Sequence, residues 1–405
     1  MAQAQRHSGQ TSPARSVEDH AADVTELLGP LLTRPSETVR LDDALGRVLS
    51  YDFSSPVDLP LFRNSQMDGF AVDAASVANV PATLSIAATV AAGPAEPAPH
   101  VPGTAVRIMT GAVMPEGADA VVPVEDTEVS DGKVTVRRSR GVGDFVRERG
   151  SDVRTGMLLL PAGTALEPRH LGVLAAVGLS SVAVRTRPRV AVLTTGAELV
   201  DTGTTPGPGQ IYDSNGPALA ASLRANGAEV AVVDRSSDEP DAFRAALRRA
   251  VARAELVITS GGVSMGDYEV VKDVLTELGA RFGPVAMQPG GPQGLALVGE
   301  IPVLTFPGNP VSTMVSFEVF LRPLLRRAGG LPPIPREDAV LAHDVTSVPG
   351  KRQLLRGRRT DSGVEVISGP GSHLVAALAW ADVLIDVPAE VTSLAAGERV
   401  KVWPL

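Results

Sequence analysis

The sequence predicts an α/β multidomain protein built around one doubly wound α/β domain, and three observations lead there. Over residues 187–333, short apolar runs alternate with segments of helical character about 10–15 residues long. Ahead of that block, residues 55–150 are rich in Pro and Gly and carry several short β-branched runs. Behind it, residues 334–405 return to short runs separated by turns, a stretch long enough to fold but with a modest core. A chain of 405 residues suits roughly two to four domains.

At the start of the chain, residues 1–15 are polar, lack the apolar core of a secretory signal, and are expected to be disordered. Residues 16–50 read as helix, loop and helix; Ser16 with Asp19 resembles a capping box with a shorter acid, and Asp42 is a candidate cap for the second helix. Residues 151–186 read as turn, strand, Pro/Gly turn and a helix ending at Gly178. They resemble the opening segment more than what lies between. A helical first domain in two pieces, 16–54 and 151–186, is therefore expected, with the β module 55–150 inserted into it. From 187 onward, RVAVLT, EVAVVD and ELVIT are continuous apolar runs, as in parallel strands covered by helices on both faces. The first intervening helix has Asp213, Ser214 or Asn215 as its cap, Pro217 in its first turn and Gly227 just past its end. FGPVAM, LALV and PVLTF are further strands, and a helix to Gly329 closes the domain.

Composition narrows the function. The net charge of −9 argues against a general nucleic-acid binder and against docking on an anionic membrane. The chain has no cysteine, which removes thiol catalysis and zinc–thiolate sites. No apolar run approaches the roughly 20 residues of a membrane helix, so a cytoplasmic protein is expected. Hydrophobic residues make up 44% but aromatics only 3%, so the cores must be aliphatic.

In open α/β sheets, ligands bind outside the carboxyl ends of the strands. Three polar, glycine-bearing loops fall there: 194–198 (Thr194, Gly196, Glu198), 260–264 (Ser260, Gly261, Gly262, Ser264) and 307–312 (Gly308, Asn309, Ser312). The second and third lead into helices, whose free N–H groups suit phosphate. None is a Walker loop or GxGxxG. Asp68, Asp152, Glu198, Asp238 and Asp267 are each readable as turn or cap carboxylates. Beside a phosphate site, however, one or two carboxylates are what Mg²⁺ requires. His373 is the one histidine in a suggestive setting, and no Ser–His–Asp arrangement can be argued.

Together the segments NSQMDGFAV (64–72), RIMTGAVMPEGADAVVPVED (107–126), RERGSDVRTG (147–156), VAVLTTGAELV (190–200), GQIYDSNGPALAASL (209–223), ITSGGVSMGDY (258–268), QPGGPQG (288–294), FPGNPVSTMVSFE (306–318) and GSHL (371–374) resemble the molybdopterin molybdotransferases, the MoeA family. The resemblance spans about residues 17–400. It implies a discontinuous helical domain, an inserted β domain, a doubly wound pterin-binding domain and a C-terminal small β barrel. It also implies a homodimer with the active site shared between subunits. The implied reaction takes adenylyl-molybdopterin and molybdate, with Mg²⁺, to molybdenum cofactor and AMP. Hand-over from a molybdopterin adenylyltransferase and onward to molybdoenzymes would accompany it.

Carried over by position, Ser260 to Ser264 would hold the phosphate, and Asp238 and Asp267 would bind Mg²⁺ or act on the anhydride. Thr194, Gly196 and Glu198 would line the pterin site. Pro292, Ser312, Ser372 and a basic residue at Lys351 or Arg352 would receive molybdate. Asp68, Thr110 and Asp152 would reach across from the partner. The sequence departs from the family at two places. Gln288 and Gly291 stand where lysines are usual, and the segment around Gly266-Asp267-Tyr268 is contracted. The departures keep open a weakened paralogue acting as a scaffold; a related molybdopterin adenylyltransferase is the other alternative.

Overall fold

The computed structural model describes residues 14–94, 96–263 and 269–405. These form two compact units: Val39–Leu45 with Tyr51–Val182, and the described residues up to Thr38 with Gly46–Ser50 and Ala183–Leu405.

The first unit is centred on a six-stranded sheet between residues 69 and 136. Its strand Gly69–Val72 pairs with Ala120–Pro123 on one side and Thr104–Ile108 on the other. Gly69 is required by close approach, because a Cβ there would lie 2.1 Å from the Val122 carbonyl oxygen. At one edge, Thr127–Ser130 and Lys133–Val136 form a hairpin whose turn residues Asp131 and Gly132 both have positive φ. Asp-Gly is a pair suited to such a turn. The core packs Phe70 among the aliphatic Val72, Val77, Val122 and Val134. The helix Pro168–Ala176 is followed by Gly178 at φ 85°.

The helix expected over the second half of residues 16–50 does not form. Ser36–Arg40 is a strand, Leu41–Asp43 is a single 3-10 turn without a side-chain cap, and Leu49 bridges Val184. β-branched Thr38 and Val39 favour extended backbone, and Gly46 at φ 70° breaks any helix beyond them. The opening segment is thus only partly helical. Its one α-helix, α1 (Val17–Leu27), buries Val17 and Val24 in the core of the second unit with Val190, Leu304 and Phe320. The Ser16 hydroxyl accepts from the Asp19 N–H at 2.9 Å, as a cap should. Arg15, placed by composition in the polar tail, pairs its backbone with Pro284 and Ala286.

The second unit carries the doubly wound sheet. Its elements are β1 (Arg189–Thr195), α2 (Asn215–Ala225), β2 (Glu229–Ser236), α3 (Pro240–Val251), β3 (Leu256–Ser260), α4 (Val270–Glu277), β4 (Arg281–Pro284), β5 (Pro292–Val298), β6 (Ile301–Phe306), α5 (Pro310–Ser316) and α6 (Arg322–Gly329). The sheet order is β2-β1-β3-β6-β5-β4. β2, β1, β3 and β6 are parallel, whereas β5 alone is reversed, antiparallel to both its neighbours β6 and β4, so the sheet is mixed rather than wholly parallel. The reason is connection length: Val298 and Ile301 pair across a two-residue turn with Gly299 at φ 62°, and a parallel crossover needs a dozen residues or more. Between α5 and α6 the helix passes through one π turn, Phe317–Leu321. Pro323, which has no N–H to donate, stands just beyond it.

The C-terminal strands build a small closed β layer. Arg352–Thr360 pairs with Val383–Val387, which pairs with Arg399–Pro404, which pairs with Glu337–Val340. Gly363–Val366 pairs with the first of these, and a Leu341–Val364 bridge closes the ring. A Cβ at Gly363 would strike the Val340 carbonyl oxygen at 2.1 Å. Met287–Gln288, from the β4–β5 connection, adds to this sheet in parallel with Arg352–Gln353.

Candidate active site

The chain leaves β1 to form β2 on one side and later returns to form β3 on the other. That reversal is where open α/β sheets bind ligands. A cleft of about 740 Å³ opens there, lined by the ends of β1, β3 and β6, the loop after β2, the β4–β5 connection, and residues 351 and 370–373.

Its floor is made by close approach of glycines. Gly261 has φ 102°, and a Cβ on it would lie 2.6 Å from the Thr195 carbonyl oxygen. Gly308 would press a Cβ to 3.2 Å from the Gly261 Cα. The backbone N–H groups of Gly262, Gly308 and Asn309 donate to no acceptor among the described residues, which leaves them for an anion.

One side chain ties these loops together. The Asn215 amide donates to the Ser260 hydroxyl at 2.9 Å and to the Gly308 carbonyl at 2.7 Å. It is placed by its buried neighbour Asp213, whose carboxylate accepts from the Thr194 hydroxyl at 2.7 Å and from the Gly216 N–H at 3.0 Å. In the sequence both residues read only as helix-cap candidates. The cap signal was visible, but their partners lie on other strands. Asn309 donates to the Ser372 hydroxyl at 2.8 Å, which joins the loop after β6 to residues 370–373. The β4–β5 connection is held by Gln293, whose amide donates to the Gly290 carbonyl at 2.8 Å and the Ser316 hydroxyl at 2.7 Å.

Of the residues expected at the site, the cleft brings together Gly196, Glu198, Asp238, Ser260, Gly261, Gly262, Pro292, Gly308, Asn309, Ser312, Lys351 and Ser372. Thr194 is buried behind the lining, against Asp213. Arg352 does not reach the cleft. It grips Asp386 with two bonds of 2.7 and 2.6 Å, reaches Glu18 at 2.5 Å, and lines a separate cavity. The Asp386 bonds hold it charged, against the cost of burial. Lys351, just ahead of the strand, lines the cleft, whereas Arg352, the strand's first residue, lines the separate cavity. Ser264 and Asp267 lie outside the described residues. Asp68, Thr110 and Asp152 belong to the other compact unit and do not line this cleft. There Asp68 accepts from both the N–H and the hydroxyl of Thr110 at 2.7 Å, bonds that hold its carboxyl below the ordinary aspartate range.

Lys351 is the only Lys or Arg among the described lining residues, against Glu198, Asp213, Asp238 and Glu269. The Asp238 carboxylate accepts from the Ala197 N–H at 2.8 Å, beside Glu198. Among the described residues no three His, Asp or Glu side chains converge as a metal cage. The donor set instead fits a cation that takes one or two carboxylates and completes its shell with substrate oxygens and water, as Mg²⁺ does.

An α/β domain with a polar, amide-bearing cleft at its switch point has the architecture with which open α/β sheets take phosphate-bearing ligands. Comparison with known proteins narrows this. Residues 191–327 match a probable molybdopterin binding domain, residues 15–178 the MoeA N-terminal region (domain I and II), and residues 338–405 the MoeA C-terminal region (domain IV). The chain is 44% identical over 406 residues to molybdopterin molybdenumtransferase 2 of Mycobacterium tuberculosis, covering 96% of this chain and 100% of the relative. It is 37% identical over 412 residues to the molybdopterin molybdenumtransferase of Nostoc sp., covering 97% and 94%. The solved structure of a molybdopterin biosynthesis MoeA protein from Pyrococcus horikoshii matches with a TM-score of 0.80 at 31% identity, covering 97% of this chain and 99% of that one. The chain belongs to the MoeA family, and with it to the transferases of molybdenum cofactor biosynthesis.

Proposed function

We propose that the cleft receives adenylyl-molybdopterin and molybdate and yields molybdenum cofactor and AMP. The observation that carries this reading is that Gly262, Gly308 and Asn309, whose N–H groups have no acceptor among the described residues, line one cleft with the carboxylates of Asp238 and Glu198. Amides at the sheet's carboxyl rim bind the phosphates without needing net positive charge. Asp238 and Glu198 would hold Mg²⁺, which when bound polarises the phosphoanhydride. Asn215 and Asp213 keep the loops in register, so that the anhydride is held in one orientation. Lys351, Ser312 and Ser372 line the cleft and would receive molybdate, one cation with two hydroxyls.

Asp68 and Thr110 form a preorganised pair that would serve a second copy's cleft in a homodimer. No described helix is long and apolar enough to cross a membrane, which suits work in the cytoplasm between an adenylyltransferase and the molybdoenzymes.

The test supplies adenylyl-molybdopterin, Mg²⁺ and graded molybdate, and measures AMP. Release that rises with molybdate and falls about a hundredfold or more in Asp238→Asn is expected, the scale of a lost electrostatic group in an active site. Release independent of both molybdate and Asp238 would overturn the reading. Consumption of molybdopterin with ATP instead would point to the adenylyltransferase.

A further inference from the structure

Gln288 lines the same cleft as Lys351, Ser312 and Ser372, and it is not a free surface amide. Gln353, only 1% exposed, donates its amide N–H to the Gln288 carbonyl oxygen at 2.6 Å. The two residues are register partners where Met287–Gln288 runs parallel to Arg352–Gln353. With its oxygen held from behind, Gln288 has one polar end left. Its amide nitrogen makes no hydrogen bond among the described residues. The Gln353 oxygen is itself buried without a partner, so a polar group is left unsatisfied to keep this arrangement. Lys351, immediately before the strand that carries Gln353, supplies the one Lys or Arg charge of the described lining.

We propose that Gln353 is a positioning residue for oxyanion recognition: it fixes the Gln288 amide so that its N–H₂ is presented to molybdate as a neutral donor. This inference rests on the function proposed above. An amide can present either a donor or an acceptor, and an oxyanion tolerates only the donor. A Gln288 free to turn would offer its carbonyl to the anion part of the time. Locking it from a buried neighbour removes that choice before the anion arrives, which is preorganisation without added charge. Recognition by neutral donors and one lysine also means that affinity depends less on ionic strength than it would with several cations.

The experiment is a double-mutant cycle on the full chain with sodium molybdate as probe, read both by calorimetric binding and by KM for molybdate in AMP release. Gln288→Met and Gln353→Met should each weaken molybdate about five- to tenfold, the weight of one hydrogen bond, with kcat at saturating molybdate retained. The double variant should be no weaker than Gln288→Met, because Gln353 acts only through its partner. Multiplicative effects, or an unchanged KM in Gln353→Met, would overturn the proposal. Should Gln353→Met not fold, Gln288→Met at its partly exposed position decides alone, and unchanged molybdate affinity there refutes it. A wild-type chain that binds no molybdate would overturn this inference together with the proposed function. Wild-type binding with indifferent variants overturns this inference alone.

Discussion

Asn215 offers the sharpest test of how the cleft is assembled. Its one amide nitrogen holds the end of β3 through Ser260 and the loop after β6 through Gly308. Replacing it by Ala deletes two hydrogen bonds, nominally about 1–3 kcal/mol together. The Ser260 hydroxyl keeps Thr313 at 3.2 Å, and the Gly308 bond is exposed to water, so the low end applies and about 1–1.5 kcal/mol is expected. Asn215→Asp keeps the shape but sets a carboxylate oxygen against the Gly308 carbonyl. A further loss of roughly 1 kcal/mol or more comes from placing two acceptors together. Urea denaturation gives the stability change, and AMP release at graded substrate gives the functional one. Because the loops are held relative to one another, kcat/KM should fall at least about tenfold in Asn215→Ala, as expected when positioning is loosened. Asn215→Asp should be worse than Asn215→Ala on both readouts. Two variants of equal stability, both within about 0.3 kcal/mol of wild type and with unchanged kcat/KM, would refute the idea that Asn215 ties the loops.

The same geometry sets other outcomes. Gly261→Ala places a side chain at φ 102° and 2.6 Å from the Thr195 carbonyl oxygen; it should cost roughly 2–4 kcal/mol in denaturation and abolish substrate binding. Arg352→Met should destabilise by roughly 3 kcal/mol, because buried Asp386 loses its paired charge and keeps the Trp403 indole N–H at 3.0 Å, whereas Lys351→Met should leave the melting temperature nearly unchanged and raise KM for molybdate. His20 packs edge-on against Phe320 at 4.6 Å, and burial, reinforced by Arg15, lowers its pKa from 6.5 to about 4. The unfolded chain therefore binds the extra proton first. Stability should decline by roughly 3 kcal/mol as pH falls from 6.5 towards 4, and His20→Phe should flatten that slope in pH-dependent melts. Asp68 is held below the ordinary aspartate range by Thr110, so its contribution is present above the unfolded value of 3.8 and lost as pH falls further. Acid unfolding of Asp68→Asn should be less steep below that point.

Much of the fold was written locally. Ser16 capping α1, and Gly227 and Gly279 at positive φ just past α2 and α4, act where a few neighbouring residues suffice to set the backbone. The three glycine-bearing loops at the sheet rim were legible for the same reason, since glycine followed by a helix start is a short-range signal. Residues 36–40 were not. They were read as part of one helical segment with the residues after them, but β-branched Thr38 and Val39 lie in a strand once pairing is available.

By itself, then, the sequence determined the strand–helix alternation, the positions of the turn glycines, the acidic character and the motifs of the cleft. Only the tertiary structure decided which side chains reach that cleft. Lys351 faces it while Arg352 is turned away by Asp386, Asn215 leaves its role as a cap to bridge two loops, and Gln353 reaches Gln288 across a strand pair. Backbone conformation is set by neighbours in the chain, whereas the direction and partner of a polar side chain are set by residues that meet it only after folding.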